Sequence, residues 1–184
     1  GQALKEWKDR VCVATKIPVG VDREKLCLSV ETSMRNLKRE PIDLVQIHHA
    51  GEEDLVTESC WETLQELRKK GYIRWIGASV YGTKNAEAAL ACPQVQVLQV
   101  ACNLLDQGMV EHILPSACKK GLGVLIRSAL LKGVLSNRRS FLPEALSVLK
   151  AAAERAGQWA GKYEMDLTKA AIRFCMARAR GGSV

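Results

Sequence analysis

Short apolar runs and amphipathic stretches alternate along the chain. Residues 10–16 (RVCVATK), 42–48 (IDLVQIH), 73–79 (IRWIGAS), 95–101 (VQVLQVA) and 123–128 (GVLIRS) are brief and rich in valine and isoleucine. They predict five strands covered on both faces. Between them the apolar positions take helical spacing. Leu26, Val30, Met34 and Leu37 step by four, four and three residues onto one stripe, with Asp22 placed to accept amide hydrogen bonds at the helix start. Trp61, Leu64 and Leu67 form a second stripe, opened by Thr57 and closed by Gly71. Residues 83–92 and 109–120 repeat the pattern, the second with Pro115 inside it, which predicts a bent or divided helix. Two more helices are predicted over 143–156 and 166–179, closed by Gly157 and by Gly181 with Gly182, and Ser183 and Val184 read as the start of another strand.

A strand, a helix and then a strand imply parallel pairing through right-handed crossovers, because an antiparallel hairpin needs only a short turn. The fold class is therefore α/β with a parallel sheet. No proline- or serine-rich linker interrupts the pattern, so residues 1–184 read as one domain.

Composition narrows the class further. With 47% hydrophobic and 26% charged residues the chain has the make-up of a folded globular domain. No apolar run approaches the roughly 18 residues of a membrane span, and residues 1–10 lack the apolar centre of a signal peptide. A cytoplasmic protein without a membrane partner is expected. Seven cysteines, scattered and never in a CxxC pair, read as reduced and mostly buried. The net charge of +7 is uneven: residues 1–118 carry 14 basic against 16 acidic side chains, residues 119–184 carry 13 against 4. Anions are expected toward the C-terminal third. Without interleaved aromatic and basic residues, zinc-finger spacing or an RNA-recognition motif, no nucleic-acid partner is expected.

In parallel α/β folds, ligands bind beyond the carboxyl ends of the strands. Here those ends are Lys16, His48, Ser79, Gln99 with Asn103, and Arg127 with Ser128, all polar or ionisable. The steps from Lys16 through His48, Ser79, Asn103 and Ser128 are 32, 31, 24 and 25 residues. That spacing suits one βα unit per step of a barrel. An open dinucleotide-binding sheet is disfavoured by the absence of GxGxxG. Each residue also has a plain structural reading. Lys16 could run to solvent along its own aliphatic stem rather than sit as a half-buried ammonium. His48 could be a satisfied core histidine, His49 should point to the opposite face as a loop residue, and His112 reads as surface. No histidine has carboxylates or thiolates at ligand spacing, so no metal is expected. Ser79 and Ser128 lie outside any GxSxG, which leaves serine hydrolysis unsupported.

The strand ends and their flanks resemble the aldo-keto reductases, (β/α)8 TIM-type barrels that reduce carbonyls with NADPH. The resemblance runs through VATKI at 13–17, IDLVQIHH at 42–49, ELRKKGYIRWIGAS at 66–79 and GLGVLIRSALLKGVL at 121–135. It is to strands three to seven of that barrel, which implies an incomplete barrel of five to six βα units. It further implies Lys16 as the lysine that lowers the pKa of the proton-donating tyrosine, and His48 as the histidine that orients the substrate carbonyl. Ser79 and Gln99 match residues that hydrogen-bond the nicotinamide carboxamide. Ser128, Leu130 and Gly133 fall in the loop along the cofactor diphosphate, and Arg127 stands where an aromatic ring often stacks on the nicotinamide. The implied cofactor is NADP(H), with NAD(H) as the alternative, and the implied substrate a small aldehyde, ketone or sugar.

Departures from the family pattern bear on activity. Val80 replaces the usual asparagine after the serine. The family's tyrosine donor and aspartate belong to its first two strands, which this sequence does not contain, and Tyr81 is the only tyrosine near the reactive rim. Unpaired strand edges would favour self-association. Beside the reductase stand two alternatives: a catalytically inactive, cofactor-binding regulatory subunit, and an inactive fragment of the same fold.

Overall fold

The computed structural model describes residues 2–4, 6–7 and 10–179. Gly181, Gly182, Ser183 and Val184, expected to end a helix and begin a strand, lie outside the described residues. The five predicted strands form as β1 (Ala14–Ile17), β2 (Ile42–His48), β3 (Ile73–Ser79), β4 (Val97–Ala101) and β5 (Gly123–Arg127), in a parallel sheet that keeps the order of the chain. The helices are α1 (Arg23–Leu37), α2 (Glu52–Val56), α3 (Glu58–Lys69), α4 (Gly82–Ala91), α5 (Ile113–Lys119), α6 (Ser147–Gly161) and α7 (Leu167–Ala179). Two compact units divide the chain, Gly1–Gln99 and Val100–Val184.

In the first unit the helix signals act largely as expected. Asp22 accepts a hydrogen bond from the Lys25 backbone N–H at 2.8 Å and starts α1, whose Leu26 and Val30 are buried. Gly71, at φ +83°, supplies the left-handed residue after α3. Thr57 does not cap α3 through its side chain. Its hydroxyl donates instead to the Glu53 carbonyl at 2.8 Å, because the short helix α2, unforeseen from the sequence, runs up to it. Trp61, Leu64 and Leu67 are buried, and the Trp61 indole N–H is satisfied by the Leu55 carbonyl at 3.0 Å.

The strands pair in a register that separates two faces. Ile17, Ile47, Ala78 and Leu98 form one buried row across β1 to β4, on the face that α1 and α3 cover. On the other face Ala14 and Lys16 are exposed and Trp75 is 51% exposed. The expectation of strands covered on both faces is thus corrected for β1; in β3 Trp75 is exposed on that face, while Ile73 and Ser79, which alternate onto the same side, are buried. The strand start at residue 10 is corrected as well. β1 begins at Ala14, and Val13 donates its N–H to the Asp43 carboxylate at 2.9 Å. Asp43 is buried and also holds Arg39 at 2.8 Å and Arg74 at 3.1 Å, so one carboxylate ties together the segment leading into β1, the turn before β2 and the start of β3.

In the second unit α5 begins at Ile113 rather than Met109. Pro115 then lies in the first turn, where its missing N–H has no helical acceptor to lose, and the expected bend gives way to a later start. The helix predicted over 143–156 begins at Ser147, after a 3-10 turn at Glu144–Leu146, and runs through Gly157 to Gly161. Gly157 does not end it, because Ala153 and Ala160, two turns apart, are both buried and continue the same stripe. Asp166 caps α7 by accepting from the Lys169 N–H at 2.8 Å. Val134, Leu135, Ala153, Leu167 and Ala171 form the core here, with Leu130, Leu131 and Leu142 packed against it.

The seven cysteines are free thiols, as expected, but only Cys102 and Cys175 are buried, while Cys12 and Cys118 are exposed. Burial pushes the Cys60 thiol up to about 11, helped by the nearby Asp54 carboxylate, and the Cys102 thiol likewise to about 11.

Two measurements test these packing arguments. Asp43→Ala leaves Arg39 buried without its carboxylate and should cost about 3–5 kcal/mol, read as a lower urea midpoint. Because a raised pKa starves the thiolate, iodoacetamide at about pH 8 should label Cys12 and Cys118 first. Cys60 and Cys102 should react roughly a hundredfold more slowly and gain about tenfold per pH unit until near 11.

Candidate functional site

Parallel strands place residues of equal register side by side on one face. Lys16 pairs with Gln46, Gln46 with Gly77, and Gly77 with Val97, which makes one row across β1 to β4. Two residues further on, His48 pairs with Ser79 and Ser79 with Gln99. Period two puts this upper row on the same face as the lower one. Four residues predicted for the site in the first unit, Lys16, His48, Ser79 and Gln99, therefore share one face at the carboxyl ends of four consecutive strands.

Their environments differ. Lys16 and His48 are exposed, whereas Ser79 is 1% exposed. Of the two readings left open for Lys16, solvent exposure is the one observed, because the face of β1 that carries it is open. The Ser79 carbonyl accepts from the Ala50 N–H at 3.0 Å and the Gln99 carbonyl from the Val80 N–H at 3.0 Å, so the backbone just beyond β2 and β3 is pinned where the side chains emerge. The side-chain oxygen of Gln99 is buried without a hydrogen-bond partner among the described residues.

Gln46 is a residue that sequence reasoning missed. It is 0% exposed, and neither end of its carboxamide has a hydrogen-bond partner among the described residues. A glutamine in the middle of the apolar run IDLVQIH was the available signal. Its neighbour Gly77 can only be glycine: an added Cβ would run into the Val97 carbonyl oxygen, so β3 and β4 approach too closely there for any side chain.

At the rim, His49 departs from the expected opposite-facing loop position. Its φ of +57° breaks the strand alternation and lays its ring 3.8 Å from that of His48, while Tyr81 meets His49 edge-on at 4.9 Å. Tyr81, half exposed, thus borders His48 through His49. Val80, which stands where the family usually has asparagine, is fully buried.

In the second unit, Arg127 ends β5 and its guanidinium donates to the Ser128 hydroxyl at 3.4 Å. The loop that follows is wound by left-handed residues: Ser128 at φ +64°, Leu131 at +45°, Lys132 at +53° and Gly133 at +95°. Such a run in residues other than glycine is costly and persists only where the surroundings over-determine it. Leu130 and Leu131 packed on the core supply that hold, together with the bonds from Gly133 N–H to the Leu130 carbonyl at 2.8 Å and from Leu131 N–H to the Ser128 carbonyl at 2.9 Å. The Ser136 hydroxyl donates to the Gly133 carbonyl at 2.7 Å and accepts from the Arg138 N–H at 3.2 Å. Asn103, expected as a strand-end polar group, is buried just past β4, and its side-chain nitrogen has no hydrogen-bond partner among the described residues. Its side-chain oxygen accepts from the N–H groups of Leu105 and Asp106 and shapes the turn after β4. Among the described residues no cluster of three or more His, Cys, Asp or Glu side chains is placed to hold a metal ion.

Comparison with known proteins bears on the family and the fold. The model of the Aldo/keto reductase family matches residues 1–184. Aldo-keto reductase YhdN of Bacillus subtilis is 28% identical over 149 residues, 75% of this chain and 45% of its own length. The NADH-specific methylglyoxal reductase of Escherichia coli is 26% identical over 168 residues, 78% of this chain and 51% of its own. Among solved structures, the glycerol dehydrogenase AKR11B4 from Gluconobacter oxydans matches with a TM-score of 0.78 at 25% identity, over 100% of this chain and 65% of that one. The holo form of aldo-keto reductase AKR11C1 from Bacillus halodurans shares the fold, with a TM-score of 0.83 at 24% identity, over 100% of this chain and 64% of that one. The chain spans about half the length of the curated relatives it matches. With five consecutive parallel βα steps of the TIM-barrel type and a family match along its whole length, this chain belongs to the aldo/keto reductase family of oxidoreductases.

Proposed function

We propose that these 184 residues are the central part of one NADP(H)-dependent aldo-keto reductase domain that reduces a small aldehyde, ketone or sugar carbonyl to an alcohol. The observation that carries this reading is the shared face of Lys16, His48, Ser79 and Gln99 at the ends of consecutive parallel strands. The cofactor fits the residues present: the Gln99 side-chain oxygen, without a partner among the described residues, is an acceptor suited to a carboxamide NH2, and Ser79 stands beside it in register with a hydroxyl. When bound, the reduced nicotinamide supplies hydride.

The chain's own groups then act in different ways. His48 directs a ring N–H at the substrate oxygen and orients the carbonyl. Lys16, one row lower on the same face, brings a positive charge toward the oxyanion that develops as the carbonyl is reduced, and an electrostatic aid of this kind strengthens as water leaves the site. In the second unit, Ser128, Leu130 and Gly133 would offer a tightly wound backbone to a diphosphate, and Arg127 would add a planar cation beside Ser128. The excess of basic residues after 118 favours a phosphate-rich ligand and supports NADPH, while the NADH-specific relative keeps NADH as the alternative. Names of relatives that specify methylglyoxal and glycerol support a small polar substrate. The proton that completes the alcohol comes, in the family pattern, from the tyrosine donor of its first two strands, which this sequence does not contain; in this chain Tyr81 borders His48 through His49. Among the described residues no helix is long and apolar enough to cross a membrane. Free thiols support a cytoplasmic site, and the open strand edges support self-association.

The first test is a fluorescence titration with NADPH, with NADH in parallel: saturable binding is expected, and its absence would refute cofactor binding by this chain. Gly133→Ala forces a side chain onto a φ of +95° and should weaken NADPH about tenfold. In an active form of the enzyme, Lys16→Met and His48→Ala should each lower kcat by about 10² or more while circular dichroism stays unchanged, and unaltered kcat would remove those residues from the mechanism.

A further inference from the structure

Gln46 occupies the centre of the lower row, with Lys16 on one side and Gly77 on the other. It is completely buried, and both polar atoms of its carboxamide lack partners among the described residues. Leucine would fill a comparable volume at that place without the desolvation penalty of an unpaired amide. The groups able to satisfy it are limited by the register. Gly77 has no side chain, Val97 beyond it and Leu44, two residues earlier on the same strand, are apolar, and the polar His48 and Ser79 on this face stand in the row above. Lys16 is the polar neighbour in the row, an ammonium with three donors and no acceptor at the end of a flexible stem.

We propose that Gln46 is a positioning residue for Lys16: its side-chain oxygen receives the ammonium and draws it from solvent across the open face, to a place beneath His48. Direction follows from chemistry. An amide oxygen accepts and a lysine only donates, so the pair has a single sense, and an acceptor already stripped of water gives a charge-assisted hydrogen bond at no further desolvation of its own. Gln46 touches no reacting atom; it acts through Lys16, and the proposal rests on the reductase reading of that lysine.

The test reads Lys16 directly and needs neither cofactor nor turnover. The 184-residue chain is acylated with limiting acetic anhydride at about pH 8, where lysine amines are largely protonated, and modification is followed by peptide mass spectrometry as the rate at Lys16 relative to the exposed Lys70. Gln46→Leu should raise that ratio about threefold or more, the low end for loss of a charge-assisted hydrogen bond near solvent. Gln46→Glu, which keeps an acceptor in nearly the same shape, should hold the ratio at or below that of the unmodified sequence. A glutamine with a merely structural role would leave the ratio at Lys16 unchanged in Gln46→Leu, and that result overturns the proposal. Should Gln46→Leu fail to fold, Gln46→Met gives the same comparison, with the same unchanged ratio overturning it. Loss of the reductase reading shows separately, as a flat NADPH titration with the acylation ratios unaffected.

Discussion

The register between neighbouring parallel strands is the constraint on which the rest of this structure depends. Side chains alternate with a period of two, so a slip of one residue between β1 and β2 would carry Lys16 to the helix side and bring Ile17 onto the open face. The register is held at both levels of the sheet. Ile17, Ile47, Ala78 and Leu98 can be buried only with that row turned toward the helices. At the other end, the Asp43 carboxylate binds the Val13 N–H and two arginines, and accepts no neighbouring alignment as well.

Close approach between strands adds a second condition. Gly77 lets the β4 backbone come nearer than any side chain would allow, and the same missing side chain leaves Gln46 flanked on that side by backbone alone. The face that carries polar groups is thus shaped by what is absent from β3 as much as by what β2 contributes. A fully buried carboxamide beside a glycine, in line with a lysine, is an arrangement that hydrophobic packing alone would replace with an apolar residue.

The loop after β5 works on a different principle. Its turns require left-handed backbone at Ser128, Leu131, Lys132 and Gly133, and only glycine adopts that region without steric cost. Burial of Leu130 and Leu131 against the second unit's core offsets the strain, which fixes the backbone before any ligand arrives. Arg127, Lys132, Arg138 and Arg139 surround or follow the loop, so its shape and its charge lie together in the basic third of the chain.

Much of this was readable in the amino-acid order. Helical spacing of Leu26 and Val30 after Asp22, the left-handed glycine at 71, and the strand-ending Lys16, His48, Ser79 and Gln99 are local signals, and each depends on a periodicity or a terminal residue that survives in one dimension. Other features escaped because they depend on distant partners. Thr57 lost its cap to α2, Gly157 was carried through α6 by buried alanines on either side, and His49 turned back onto His48 through a single positive φ. The exposure of Lys16 and Trp75 could not be read from an apolar strand pattern, since that pattern does not say whether both faces are covered. What the sequence determined by itself was the alternation of elements and the polar residues at strand ends, because propensity and period act between near neighbours. Only tertiary structure decided that Gln46 is buried beside Lys16 with no hydrogen-bond partner among the described residues, because burial and pairing belong to strands about thirty residues apart in the chain and one hydrogen-bonded step apart in space.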